Sequence, residues 1–244
     1  MRWPRRPVGE PAPEAAAGPG PPPDPGPTPV AAYTRAGLPS KKTPWRQAAF
    51  CVVDLELSGL DVRVDEILSF GAVPVVHGRV LAGEARYGLV RPTRPVPERS
   101  VLVHGIRTVD LEAAAPLEEA IVPLLAAMAG SILVAHVAEV ERSFLGAALR
   151  PMGLRLHQPV IDTQLLGRLW MSERGDAAPG WLALGELAAA LRLPEHRPHH
   201  ALGDALTTAQ AFIALASHLD ALHPETVGSL ARAVDRLMEL RVHR

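Results

Sequence analysis

The sequence predicts an α/β protein with a mixed five-stranded sheet flanked by helices. Three observations carry that expectation. Short apolar runs rich in β-branched residues alternate with longer amphipathic segments, in the order β-β-β-α-β-α-β-α-α. The first three runs are joined by short connections, as in an antiparallel meander, and the later two are each followed by a helix. The length, 244 residues, fits one domain of ordinary size plus tails.

Each element has its own signal. Phe50-Cys51-Val52-Val53, continuing to Glu56, has the length and β-branched content of a buried strand. Glu66–Val76 alternates and is the second strand. His77-Gly78 is a turn, and Arg79–Val90 is the third strand. Pro92, Pro95 and Pro97 enforce an extended loop. Short helical patterns follow over Glu98–Val103 and, behind Pro116, over Leu117–Ala129. Ser131–His136 is a short buried strand and Ala138–Leu149 a helix. Pro159–Ile161 is a brief strand, and Asp162 is placed to cap a helix that runs to about Met171. Leu182–Leu191 and Ala201–Leu219 are helices, and with Trp181 ahead of them they read as ordinary core. Glu225–Arg241 is a last amphipathic helix whose Val227, Leu230, Val234, Leu237 and Leu240 are expected to pack on the domain.

The chain divides at its composition shifts. Residues 1–44 hold thirteen of the twenty-five prolines, too little apolar surface to offset ordering entropy, and are expected to be a disordered Pro-rich tail. Pro21-Pro22-Pro23 in it reads as an uninvolved leader. Residues 45–220 form the domain and 221–244 a C-terminal helix. Residues 1–46 carry seven Arg/Lys against three acids, so the rest of a chain of net charge −1 carries −5. An acidic body acting on a polyanion needs cations to offset local charge. A single cysteine, Cys51, excludes an internal disulfide and sits where a buried thiol is expected. No apolar stretch reaches membrane-spanning length and the N-terminal arginines are not followed by an apolar segment, so a cytoplasmic protein with no membrane partner is the expectation.

The chemistry gathers at the end of the first strand. In Asp54-Leu55-Glu56 the two carboxylates are two residues apart, so both share one face of the strand. Adjacent carboxylates repel, and a divalent cation between them relieves the repulsion. Further acids and bases come from Val134–Glu141, a strand-to-helix passage that puts Glu141 on the first helical turn, from Asp162-Thr163 at another strand end, and from His199–Ala205.

These segments, in this order, resemble the DEDDh family of 3′→5′ exonucleases, the group containing the epsilon proofreading subunit of bacterial DNA polymerase III. The likeness runs from about residue 48 to about 217. Asp54-Leu55-Glu56-Leu57-Ser58-Gly59-Leu60 matches the family's D-x-E-x-T-G-L with Ser for Thr. Ala135–Leu145 follows its A-H-N-A-x-F-D-x-x-F-L, and His199–Ala205 its H-x-A-L-x-D-A. An H-G-I element stands at His104-Gly105-Ile106. The resemblance implies an RNase H-like fold and two divalent ions, Mg²⁺ or Mn²⁺, roughly 3.5–4 Å apart, that promote cleavage of the last phosphodiester. It implies that Asp54 bridges the ions, that Glu56 and Asp204 complete the nucleophile-side site, and that Glu141 serves the second. His199 would be the general base, its ordinary pKa near neutrality suiting the task. Leu57, Ser58, Gly59, Leu60 and His104 would bind the terminal nucleotide. Single-stranded DNA or a frayed 3′ end is the implied substrate, with RNA as the other candidate, and a DNA polymerase subunit is the candidate partner.

Neighbouring residues read differently. The five-residue spacing to Asp204 selects His199 over His200, which is expected to face elsewhere. His136 is expected to fix the strand–helix junction, and Glu139 to point away from the site. Two positions depart from the family pattern. Glu141 stands where the family has Asp, with its carboxylate displaced by up to about one C–C bond, roughly 1.5 Å. Val137 stands where the family has Asn. A weakened or Mn²⁺-preferring second site follows from Glu141. Together the two departures motivate the alternative reading, a catalytically weakened module that binds nucleic acid or attaches to a polymerase.

Overall fold

Alternation along one strand organises the whole molecule. In β1 (Ala49–Leu57) every residue except Ala49 and Asp54 is buried. Phe50 and Val52 face one apolar cluster, while Cys51, Val53, Leu55 and Leu57 face the other. A strand covered on both faces reads as a continuous apolar run, as this one does. The structure is a computed structural model describing residues 28–242. Around β1 it arranges β2 (Ile67–Val76), β3 (Arg79–Val80), β4 (Arg86–Leu89), β5 (Ile132–Ala135) and β6 (Val160–Asp162). The sheet order is β3-β2-β1-β5-β6, with β4 also beside β2. β1 and β2 are antiparallel, and β1, β5 and β6 run parallel.

Helices cover both faces, and a short helix after β4, α2 (Glu98–His104), stands beside the end of β1. On the Phe50 side lie α6 (Thr163–Glu173), α7 (Leu184–Ala190) and α8 (Ala201–Leu222), with the Phe212 ring 4.7 Å from that of Phe50. On the other side lie α4 (Val122–Met128) and α5 (Glu139–Leu149). Cys51 is fully buried, and burial pushes its thiol up to about 12.

Several expected elements differ, each for a local reason. The third strand, Arg79–Val90, is broken into β3 and β4 by a 3₁₀ turn at Ala82–Glu84, so the sheet has six strands and not five. Opposite the break lies Pro74 of β2, which accepts from Leu81 N at 2.9 Å and has no N–H to return, so the ladder stops there. The helix over Leu117–Ala129 is two, α3 (Leu117–Ala120) and α4. Pro123 in the first turn of α4 has no N–H for the carbonyl four residues back and crowds it. The last helix is also two, α9 (Val227–Leu230) and α10 (Ala233–Val242). A straight helix would hold Arg236 about 16 Å along the axis from Glu225. The break folds it back, and Arg236 Nη1 donates to buried Glu225 Oε1 at 2.7 Å. Val227, Leu230 and Leu237 are buried against the domain as expected, and Val234 is exposed.

Order also begins earlier than Trp45. α1 (Pro29–Arg35) is capped by the Thr28 hydroxyl and starts with proline, whose missing N–H is no loss at that position. It packs on α4 and carries Tyr33, 1% exposed, whose hydroxyl lies 2.9 Å from both Arg155 O and Gln158 Oε1. The rest of the expected tail, residues 1–27, with its proline triplet, lies outside the described residues. Trp181, expected in the core, is 61% exposed. Leu182 takes the inward position next to it, at 3%. Among the described residues no helix is long and apolar enough to cross a membrane.

Candidate active site

The sheet register assembles the acids. β1 pairs with β5 only as far as Val52↔Val134, after which β5 ends and α5 begins. Asp54 and Glu56 therefore stand on a length of β1 that β5 leaves uncovered, on the same face as Phe50 and Val52, which is the face packed by α8. Asp54 lies opposite Gly71 of β2. A Cβ at Gly71 would collide with the Ala201 carbonyl and the Leu202 Cα. The missing side chain thus lets the first turn of α8 settle over Asp54 and brings Asp204 with it. Asp54, Glu56 and Asp204 each offer a carboxylate oxygen, all within 4.8 Å of one another.

Asp204 is held from behind. The segment before α8 carries Arg197 at φ 37° and His199 at φ 57°, left-handed conformations that cost a non-glycine residue about 1–2 kcal/mol each. His199 N donates to Asp204 Oδ2 at 2.9 Å, and Asp204 N donates to His200 O at 2.9 Å. At Gly203 a Cβ would collide with the His196 and Arg197 carbonyls, so glycine lets this loop lie on the helix. The His199 side chain is exposed, and its charge is felt by both Asp204 and His104. His200 turns away to stack on Tyr87.

Glu141 stands apart from the three clustered acids but close enough to repel Asp54. It is buried in the first turn of α5, and its Oε2 is enclosed without a hydrogen-bond partner. The junction that places it is governed by Asp162. The Asp162 carboxylate caps α6 by accepting from Gln164 N at 2.8 Å and Leu165 N at 3.4 Å, as expected. It also accepts from Val137 N at 3.2 Å and Ala138 N at 3.0 Å at the start of α5. Val137 has φ 61°, a conformation Asn tolerates far better than a β-branched residue. The family's preference for Asn at this position thus has a backbone reason that the sequence did not reveal. His136 bridges Thr163 Oγ1 at 3.0 Å and Leu182 O at 2.9 Å, a junction role as expected. Glu139 points away and pairs with Arg142 at 2.7 Å.

The electrostatics follow from burying like charges together. Burial pushes the Asp54 carboxyl well above the usual carboxylate range, with Glu141, Asp204 and Glu56 adding repulsion. Burial, then Asp204, push Glu56 up to about 7. Burial pushes Glu141 up to about 8, with Asp162 and Glu56 adding to it against a backbone hydrogen bond. Asp204 rises to about 6, burial outweighing the backbone bonds from His199 and His200. Among the described residues none of the four acids forms an ion pair with Lys or Arg. Carboxylate oxygens without a Lys or Arg counter-charge, one of them buried and unpartnered, fit hard divalent cations.

A cavity of about 560 Å³ adjoins this cluster. It is lined by Glu56, Leu57, Ser58, Gly59, Leu60 and His104, so every expected nucleotide-binding residue is brought together there, and Glu56 belongs to both sites. Leu55, Arg99, Ser100, Val103 and Val140 complete the wall, and none of them had been singled out as a binding residue. Ser58 is already engaged: its hydroxyl donates to Asp65 Oδ1 and accepts from Glu66 N, both at 3.0 Å. Gly59 is needed for the same loop, since a Cβ there would collide with the Asp65 carboxylate. His104 Nδ1 accepts from Ile106 N at 3.0 Å, which leaves the proton of the neutral ring on Nε2. Leu60 is 78% exposed at the cavity edge.

A mixed sheet with clustered carboxylates at the end of its central strand, beside a cavity of about 560 Å³, is suited to holding divalent cations next to a small ligand. The chain belongs to the exonuclease family, whose model (RNase_T, Exonuclease) matches residues 51–212. It is 36% identical over 205 residues to a DNA polymerase III subunit epsilon-like protein of Rhodobacter capsulatus, covering 83% of this chain and 28% of that one. It is 34% identical over 175 residues to a PolC-type DNA polymerase III of Thermotoga petrophila, covering 71% and 12%. The chain thus spans about a quarter or less of these two relatives. It spans 81% of the DNA polymerase III subunit epsilon of Aquifex aeolicus, at 30% identity over 173 residues and 70% of this chain. Among solved structures it resembles exonuclease X in complex with 5′-overhanging duplex DNA. That match has a TM-score of 0.58 and 22% identity, over 75% of this chain and 98% of that one. It also resembles E. coli exonuclease I in complex with a dT13 oligonucleotide, with a TM-score of 0.62 and 15% identity, over 72% and 42%. These likenesses support the RNase H-like fold. The family uses divalent metal ions.

Proposed function

We propose that this chain removes nucleotides one at a time from 3′ ends of DNA, single-stranded or frayed. The observation that carries this reading is the cluster of Asp54, Glu56 and Asp204 beside the Leu57–Leu60 cavity, with Glu56 shared between them. Asp54, Glu56 and Asp204 would hold a divalent ion on the nucleophile side, and Glu141 would serve a second, Mg²⁺ or Mn²⁺ in each case. Such ions, when bound, neutralise charge on the scissile phosphate and act as Lewis acids. His199 takes the proton of the attacking water. Exposed at the rim, on a fixed backbone, its ring can approach the water and pass the proton on to solvent. Leu60 and Val103 offer apolar surface to the terminal base. The names of the relatives support DNA as substrate and a DNA polymerase as partner.

A second reading rests on Glu141. Without a bound ion its carboxyl, up to about 8, is largely protonated at neutral pH, which favours a weakened second site. In that case the chain binds 3′ ends with little turnover.

Digestion of a 5′-labelled single-stranded DNA distinguishes the two, with Mg²⁺ and separately Mn²⁺, against EDTA and Asp54→Ala. A ladder shortening from the 3′ end, lost in both controls, is expected. Asp54→Ala that still cuts would sink the assignment. Intact DNA in both metals, with cutting gained by Glu141→Asp, would establish the second reading.

A further inference from the structure

The loop that carries His199 is anchored to the sheet by one aromatic contact, and its other anchors come from α8. The Thr207 hydroxyl accepts from His196 N at 2.9 Å, Gln210 Oε1 lies 3.1 Å from His196 Nε2, and Asp204 receives His199 N. All of these tie the loop to the helix it precedes. They reach β1, where Asp54 and Glu56 stand, only through the packing of α8 on the sheet. The sheet-side contact is Tyr87, whose ring stacks on His200 with centroids 4.7 Å apart and planes 18° from parallel.

The register explains why Tyr87 is there. β4 pairs with β2 so that Tyr87 lies opposite Gly71, which in turn lies opposite Asp54. Asp54, Gly71 and Tyr87 thus form one row across three strands, with their side-chain positions on the face packed by α8. The empty middle position admits Ala201 and Leu202, and Tyr87 closes the row at its outer end against His200. Burial pushes the Tyr87 hydroxyl up, and Ser69, Arg197 and Glu56 lie close enough to bear on it.

We propose that Tyr87 is a positioning residue for the general base: by stacking on His200 it sets the backbone of the strained His199 segment relative to the carboxylates of β1. This rests on the reading of His199 as the base in the proposed function. Tyr87 is 40% exposed, so core packing does not account for it. A flat ring suffices for the role, and the hydroxyl is dispensable.

The test compares Tyr87→Ala, Tyr87→Phe, His200→Ala and the double Tyr87→Ala/His200→Ala variant with wild type. One assay is steady-state digestion of 5′-labelled single-stranded DNA with Mn²⁺. The other is hydrogen exchange at the 197–204 amides without DNA. Tyr87→Ala is expected to lower kcat roughly ten- to a hundredfold, the usual consequence of a small misplacement, with KM within about twofold. Exchange over 197–204 should rise in the same variant. Tyr87→Phe should match wild type in both assays. The double variant should lose no more than the worse single one, because the two rings act as one unit. Tyr87→Ala with wild-type kcat and wild-type protection overturns the inference while the nuclease reading stands. So does a loss that Tyr87→Phe shares. A wild-type chain that leaves DNA intact removes both, whatever the variants do.

Discussion

Asp162→Ala removes a carboxylate that starts two helices at once. Its oxygens accept from Val137 and Ala138 at the head of α5 and from Gln164 and Leu165 at the head of α6, between 2.8 and 3.4 Å. Losing an N-cap costs about 1–2 kcal/mol. Hydrogen bonds to a charged acceptor contribute about 1.5–3 kcal/mol each. The two on the α5 side fall at the lower end, because Val137 is only half-buried and the distances are 3.0 Å and above. The expected loss is therefore about 4–5 kcal/mol, or a fall in Tm of about 8–20 °C in a domain of this size. Asp162→Asn keeps the oxygen that serves Val137, Gln164 and Leu165 and gives up the bond from Ala138, so it should lose about 1–2 kcal/mol. Urea and thermal unfolding followed by circular dichroism measure both. Asp162→Ala should also weaken divalent-ion binding measured by calorimetry, because Glu141 sits one turn into the helix that Val137 and Ala138 begin. Stability within about 1 kcal/mol of wild type would refute this account of the junction, as would Asn proving as damaging as Ala.

Three further outcomes follow from the same geometry. The carboxyls of Glu56, Glu141 and Asp204 are raised in the fold to about 7, 8 and 6, above their unfolded values near 4. Their contribution to stability is thus complete below about pH 4 and is lost as pH rises through 6 to 8. In EDTA the Tm should fall across that window, and the gain on adding Mn²⁺ should grow with pH; a flat or rising metal-free Tm from pH 5 to 8.5 would contradict this. Val137→Asn should exceed Val137→Thr in stability by about 1 kcal/mol, since both make the site polar and only Asn relieves a β-branched residue of φ 61°; equal unfolding midpoints would argue against strain. Gly71→Ala should cost about 1–3 kcal/mol by overpacking and reduce hydrolysis more than the remaining folded fraction explains, as α8 is pushed off Asp54; a variant with wild-type turnover would show that α8 tolerates the shift.

What could be read from the sequence was what the chemistry itself constrains. Asp54 and Glu56 share a face in any strand, so local geometry was enough for them, while His199, Asp204 and Glu141 were legible through their resemblance to the exonuclease motifs. The parts that stayed hidden depend on which residues oppose one another across strands. Gly71 looks like an unremarked glycine in an apolar run until the register sets it between Asp54 and Tyr87. Pro74 ends a ladder only because its carbonyl faces the edge that β3 and β4 occupy. α1 was concealed by its surroundings: seven residues in a proline-rich stretch carry too weak a signal, and Tyr33 is ordered by partners more than 120 residues away. Trp181 and Leu182 show the reverse error. Bulk alone suggested burial, and the direction of the chain into α7 chose the smaller neighbour.

Glu56 belongs to the wall of the Leu57–Leu60 cavity and to the carboxylate cluster alike. Occupancy of one compartment therefore alters the proton and charge state that the other meets. By thermodynamic reciprocity, a nucleotide that tightens ion binding by some factor is itself held more tightly by that factor when the ion is present. The released mononucleotide is subject to the same rule. Under the proposed function, product retention and ion retention would then rise and fall together.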